Sequence, residues 1–127
     1  MSWATDRVKI DTILTGLTYT QVAVSEQTED EPFAPHKSFY YNLKKTGTDG
    51  LGLTSNAAAF CHKVMLEVFY INKTTVTRDT NADNFDSVMS GIIALPEFHG
   101  EISSDFEDID EDHSKGTFNF LFGFESC

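Results

Sequence analysis

From Thr117 to Glu125 the sequence reads Thr-Phe-Asn-Phe-Leu-Phe-Gly-Phe-Glu, with Phe118, Phe120, Phe122 and Phe124 at every second position. Successive side chains of a strand point to opposite faces, so this spacing makes a strand with one aromatic face. Slipping it by one residue would expose all four rings, so its register is firmly set. The chain must therefore build a sheet with at least one buried face and find elements to cover it.

Other segments supply that cover. Ile10, Ile13, Leu14 and Leu17 fall at i, i+3, i+4 and i+7, with Trp3 one heptad before Ile10. They predict an amphipathic helix over residues 4–15, opened near Thr5-Asp6 and stopped at Gly16. Residues 18–25 put Val22 and Val24 on one face, a strand pattern, and the acidic, proline-bearing stretch 27–35 reads as a loop. Residues 36–45 alternate again through Phe39, Tyr41 and Leu43. Residues 46–57 hold Gly47, Gly50 and Gly52 among polar neighbours and read as a long loop, a length usually tied to function. Residues 62–71 form a third strand that is apolar on both sides. Val64, Leu66, Val68 and Tyr70 share one face, and Met65, Phe69 and Ile71 the other. Such a strand belongs in a sheet interior or at a subunit contact.

Phe85, Val88, Met89, Ile92 and Leu95 return to helical spacing over residues 83–95, with Asp79 to Asp83 as capping side chains and Pro96 as the stop. Ile102, Ser104 and Phe106 alternate before an acidic turn over 108–115. The order is α-β-β-β-α-β-β, an α+β fold with two helices flanking a mostly antiparallel sheet. At 127 residues the chain fits one domain, residues 1–127, with long loops near 26–35 and 46–57.

Charge narrows the function. The net charge is −11, from 20 acidic and 9 basic side chains. Glu26, Glu29, Asp30 and Glu31 form one acidic cluster, and Asp105, Glu107, Asp108, Asp110, Glu111 and Asp112 another. Taking those ten from the twenty acids leaves ten against nine basic residues, a nearly neutral body. Two short segments thus hold the field. They repel a polyanion, so nucleic acid should slide past rather than stick. The plainer reading of both clusters is two solvated loops that aid solubility.

Reactive constellations are missing from the pattern. Asp79-Thr80-Asn81-Ala82-Asp83 resembles the start of a calcium loop, which needs glycine and glutamate where the chain has Asn84 and Ser90. Asp108, Asp110 and Asp112 alternate like calcium ligands, without a glycine after them. The histidines at 36, 62, 99 and 113 lack metal spacing and read as surface or capping residues. Cys61 and His62 are strand neighbours facing opposite ways, so they form no nucleophile–base pair. Gly47, Gly50 and Gly52 precede a strand rather than the helix N-terminus a phosphate cradle requires. No pair among the 20 acids is singled out for glycoside chemistry. Cys61 and Cys127 read as reduced thiols. No apolar run approaches the length of a membrane span, and no signal core precedes Asp6 and Arg7. The expectation is a non-enzymatic, cytoplasmic-type chain without cofactor, metal or membrane.

A short helix leads into strands separated by acidic and glycine-rich stretches. The long strand from His62 to Ile71 then precedes a helix. The hairpin ending in Gly116-Thr117-Phe118-Asn119-Phe120-Leu121-Phe122-Gly123-Phe124 closes the chain. This arrangement resembles the tail terminator proteins of long-tailed bacteriophages, the family of the lambda minor tail protein U, over residues 4–125. The resemblance implies a homo-hexameric ring on the last ring of the tail tube. That ring stops tube polymerisation, offers the head-joining surface to a head-completion, connector or neck protein, and lets DNA pass through its lumen. It implies a place in the tail or neck of the virion, reached from the host cytoplasm during assembly, and no catalytic residues. Two neighbouring readings stay open: a head-completion or connector subunit, and a small β-rich module that binds calcium or sugar through the acidic turn.

Under the ring reading, Val64, Met65, Phe69 and Ile71 are expected at subunit contacts. Lys44, Lys45, Gly47, Gly50 and Gly52 should reach toward the tube or a neighbour. The acids Asp105, Glu107, Asp108, Asp110, Glu111 and Asp112, or Glu26 to Glu31, should face the lumen.

Overall fold

The computed structural model describes residues 3–21, 39–50, 59–72, 74–109 and 112–126. Two helices, α1 (Trp3–Gly16) and α2 (Thr75–Ile93), cover one face of a five-stranded sheet. The strands are β1 (Thr20–Gln21), β2 (Tyr40–Gly50), β3 (Ala59–Ile71), β4 (Phe98–Asp108) and β5 (His113–Ser126). Their order across the sheet is β1-β2-β3-β5-β4. All pairings are antiparallel except β1 with β2. The element order and the α+β class are those the sequence predicts.

The aromatic strand sits where its pattern requires. Phe118, Phe120 and Phe122 on β5 meet Leu66, Val64 and His62 on β3, and the three rings are buried against Ile10 and Leu14 of α1 and Phe85, Val88 and Ile92 of α2. Full burial of one such side chain is worth about 1.5–3 kcal/mol, so the face resists any slip in register. The Phe124 side chain lies outside the described residues. A chain of rings continues the core: Phe118 stacks on Phe85 at 4.3 Å between centroids, and Phe106 meets Phe85 edge-on and stacks on Tyr70. The hydroxyls of Tyr19 and Tyr70 hydrogen-bond inside this core. Burial pushes the Tyr19 hydroxyl up to about 12 and raises that of Tyr70 further.

Several boundaries differ from the sequence expectation, each for a physical reason. The expected loop 46–57 is partly strand, because β2 runs on through Gly47 and Gly50 paired with Lys63 and Phe60. Thr46 is the extra residue of a bulge between Lys45 and Gly47, and its hydroxyl donates to the Lys63 carbonyl at 3.3 Å. Residues 51–58 lie outside the described residues. Helix α2 starts at Thr75, well before the expected 83, and Asp79 to Asp83 are helical turns rather than caps. Thr74 is the cap: its Oγ1 accepts from the Thr77 N–H at 3.1 Å. The acidic turn is shorter than expected, since β5 begins at His113. Of the strand expected at 18–25, Thr20–Gln21 is strand, Thr18 and Tyr19 lie in the turn after α1, and residues 22–25 lie outside the described residues. The expected strand 36–45 is described from Phe39 and is strand from Tyr40, and the acidic loop with Glu26, Glu29, Asp30 and Glu31 lies outside the described residues.

Candidate assembly surface

Alternation along the strands decides what the helix-free face displays. The registers place Asn42 and Lys44 of β2, Lys63, Met65, Glu67, Phe69 and Ile71 of β3, and Lys115, Thr117, Asn119 and Leu121 of β5 there, with Ser103, Asp105 and Glu107 of β4. A groove of about 530 Å³ crosses this sheet, lined by Thr46, Lys63, Glu101, Ser103, Asn119 and Leu121 among others. It owes its width to β4. Between His99 and Ser103, β4 carries two more residues than the β5 stretch from Leu121 to Asn119, and Gly100 takes φ +68° to make the bulge.

The expected contact residues divide. Val64 lies on the helix side and is buried in the core, and Phe69, though on the other face, is buried too. Met65 and Ile71 are half-buried, and Lys44 and Lys45 are exposed mid-strand rather than at the base of a loop. Gly47 and Gly50 belong to β2, whereas Gly52 lies outside the described residues.

The acids divide as well. Asp105, Glu107 and Asp108 line up on β4, the outer strand, and are exposed. Asp112 is exposed just before β5, and Asp110 and Glu111 lie outside the described residues. Glu107 shares Lys115 with the buried Glu67, each at 3.7 Å, and Glu67 accepts from Asn42 Nδ2 at 3.3 Å. Asp108 has both oxygens engaged: Arg78 donates to Oδ2, and the buried Ser114 hydroxyl donates to Oδ1 at 3.0 Å. That network runs inward. Ser114 accepts from Asn72 Nδ2, and Asn81 Nδ2 donates to Asn72 Oδ1 at 2.7 Å and to the Ile71 carbonyl at 3.1 Å. The turn is thereby tied to α2.

The opposite end of the sheet holds a cluster that the sequence reading misses. Asp6 and His62 are both buried, and His62 Nε2 lies 3.1 Å from Asp6 Oδ2. His62 is thus a core residue, correcting its assignment to the surface. The Trp3 ring stands edge-on to it, and Lys9 reaches Asp6 at 3.9 Å and Glu97 at 3.0 Å. The contact between Asp6 and His62 lacks hydrogen-bond geometry at either side chain. Burial lowers the His62 pKa, Lys45 lowers it further, and Asp6 opposes both, so the imidazole is held neutral. Gly123 makes room for the pair: a Cβ there would come within 2.3 Å of Asp6 Oδ2, and its φ is +81°. The signal was parity. Asp6 occupies the stripe of Trp3, Ile10 and Leu14, and His62 shares the face of Val64 and Leu66.

Among the described residues no group of three or more His, Cys, Asp or Glu side chains is placed to hold a metal ion, and no helix is long and apolar enough to cross a membrane. Cys61 is a buried thiol on β3, and Cys127 lies outside the described residues. Set against known proteins, the chain matches no family model and no curated sequence.

Proposed function

We propose that this chain is a structural subunit of a long-tailed phage virion, one copy of a closed ring that ends the tail tube and offers a joining surface toward the head. One observation carries the reading: the order α-β-β-β-α-β-β, with both helices on one face of the sheet and a groove on the other beside an acidic outer strand. The element order is what the resemblance to tail terminators rests on. A modest domain gains burial from symmetric contacts. Exposed carboxylates on β4 suit a wall along which DNA moves without adhering. The role asks for shape and charge rather than reactive groups.

The test combines native mass spectrometry and electron microscopy of the purified protein with cross-linking in tail-assembly mixtures. A ring that cross-links to tube protein supports the reading. Cross-links confined to portal or adaptor protein would move the chain to the head side as a connector. Replacing Asp105, Glu107 and Asp112 with neutral residues should slow DNA passage in assembled particles, and unchanged ejection would remove them from the lumen. A strong calorimetric signal on calcium addition would favour a cation-binding module instead.

A further inference from the structure

The groove on the helix-free face holds two opposite charges that the fold keeps apart. Its walls come from Thr46 of β2, Lys63 of β3, Asn119 and Leu121 of β5, and Glu101 and Ser103 of β4. Lys63 and Glu101 are exposed, and among the described residues neither makes an ion pair. Other charges are matched within the chain: Arg7 with Asp11, Lys9 with Glu97, Arg78 with Asp108, and Lys115 with Glu67 and Glu107. The registers explain why Lys63 and Glu101 do not meet. Lys63 pairs with Leu121, and Glu101 sits in the β4 bulge opposite the stretch from Leu121 to Asn119, so β5 lies between them. Two strand spacings set their backbones roughly 10 Å apart. Lys63 also leans away, since its Cδ lies against Gly47 of β2, where a Cβ would come within 3.3 Å. Asn119 stands between the charges and Ser103 beside Glu101, both exposed and without a side-chain hydrogen bond among the described residues.

We propose that the groove binds an extended peptide segment of a partner protein, laid across β5 with an acidic residue at Lys63 and a basic residue at Glu101. The span sets the spacing of those two residues. An extended chain covers about 3.3–3.6 Å per residue, so charges three residues apart reach across roughly 10 Å. The groups in between favour a peptide. The Asn119 amide both donates and accepts, as the backbone passing over it does. A polyanion would match Lys63 but be repelled by Glu101 and by Asp105 further along β4. An uncharged sugar or an apolar ligand would leave both charges unmatched. At about 530 Å³ the groove has the size of a small-ligand site, roughly 300–1,000 Å³. Exposed charges of this kind select the partner and its direction more than they add affinity. Both charges belong to one copy, so the site is complete without a ring and goes beyond the ring reading.

The experiment titrates the purified chain with the capped tetrapeptide acetyl-Asp-Ala-Ala-Lys-amide and follows backbone amide signals by NMR. Saturable shifts should gather at Thr46, Lys63, Glu101, Ser103 and Asn119 and weaken with added salt. Matching peptides with two aspartates or two lysines should bind about tenfold more weakly. Lys63→Glu should turn the preference to the two-lysine peptide, and Glu101→Lys to the two-aspartate peptide. Carrying both reversals at once should restore the mixed peptide, which can turn round in the groove. The milder Lys63→Gln and Glu101→Gln proteins should each weaken binding of the mixed peptide, which keeps the test open if a reversal unfolds the chain. The absence of saturable shifts with every peptide, or shifts alike for all and indifferent to the substitutions, would overturn the proposal. A saturable response to maltotriose at these residues, with none to peptide, would give the groove to saccharides instead. Native mass spectrometry of the same samples reads ring formation separately, so a failure here leaves the ring reading standing.

Discussion

Gly116 offers the sharpest test of the core. It lies on β5 opposite Val68 of β3, buried, with an ordinary backbone conformation, so an alanine there meets only a packing problem. A Cβ at Gly116 would come within 2.2 and 2.3 Å of Phe85 Cε1 and Cδ1, and 2.9 Å of Val68 Cγ2. Carbon atoms in contact prefer about 3.5–4.0 Å, so the Phe85 ring would have to retreat by roughly 1.3 Å. It has nowhere easy to go, because Phe118 is stacked on it at 4.3 Å and Phe106 stands edge-on at 5.2 Å. Overpacking of this kind costs about 1–3 kcal/mol, with expulsion of the ring, about 3–5 kcal/mol, as the ceiling. Gly116→Ala should therefore lose about 2–3 kcal/mol in urea unfolding. Phe85→Leu should cost less and should relieve part of the clash, so the double variant should beat the sum of the singles by at least about 1 kcal/mol. A Gly116→Ala cost below about 0.5 kcal/mol, or effects that simply add, would refute this packing.

Three further outcomes follow from the polar clusters. Gly123→Ala should cost more than Gly116→Ala, because it adds the strain of a φ of +81° to a 2.3 Å approach to Asp6 Oδ2, and a neutral result in urea unfolding would dismiss the Asp6–His62 packing. His62 has a lower pKa folded than unfolded, so the unfolded chain takes up its proton first. The stability it contributes is complete above the ordinary imidazole value of 6.5 and is lost as pH falls from there through the folded value; unfolding curves should show this slope, and His62→Gln should flatten it. Asn81→Ala strands Asn72 Oδ1, a buried group whose lost partner costs about 1–3 kcal/mol, and a melt within error of the unmodified protein would contradict the network.

What the sequence reveals, and what it hides, follows from which residues carry the pattern. Strand β5 is legible because Phe118, Phe120 and Phe122 state both the period and the buried face. Helix α1 is legible because Ile10, Leu14 and Leu17 do the same at helical spacing. The first two turns of α2 are hidden because Asn81, a polar residue, takes the stripe position three turns before Ile92, and its amide serves Asn72 and the Ile71 carbonyl. The continuation of β2 is hidden because Gly47 and Gly50 are poor strand formers by themselves. Pairing with Lys63 and Phe60 overrides that local preference. The groove and the Asp6–His62 pair join residues far apart in sequence, and no spacing rule reaches across such gaps.

The acidic segment that dominates the sequence is two things in the fold, and they should respond differently to substitution. Asp108 is part of the structure: its Oδ1 holds the Ser114 hydroxyl, which is wholly buried and also accepts from Asn72. The ion pair with Arg78 is exposed and contributes little by comparison. Asp108→Ala should thus cost about 1–3 kcal/mol through the stranded Ser114 hydroxyl, whereas Asp108→Asn, which keeps an acceptor, should cost much less. Asp105 touches no such group and is exposed on the outer strand, so Asp105→Ala should leave the melt within about 0.5 kcal/mol. If the two alanine variants melt alike, the division fails. If they part as argued, any effect of Asp105 on ring formation or on passing DNA can be read as an effect of its charge, because the fold beneath it is unchanged.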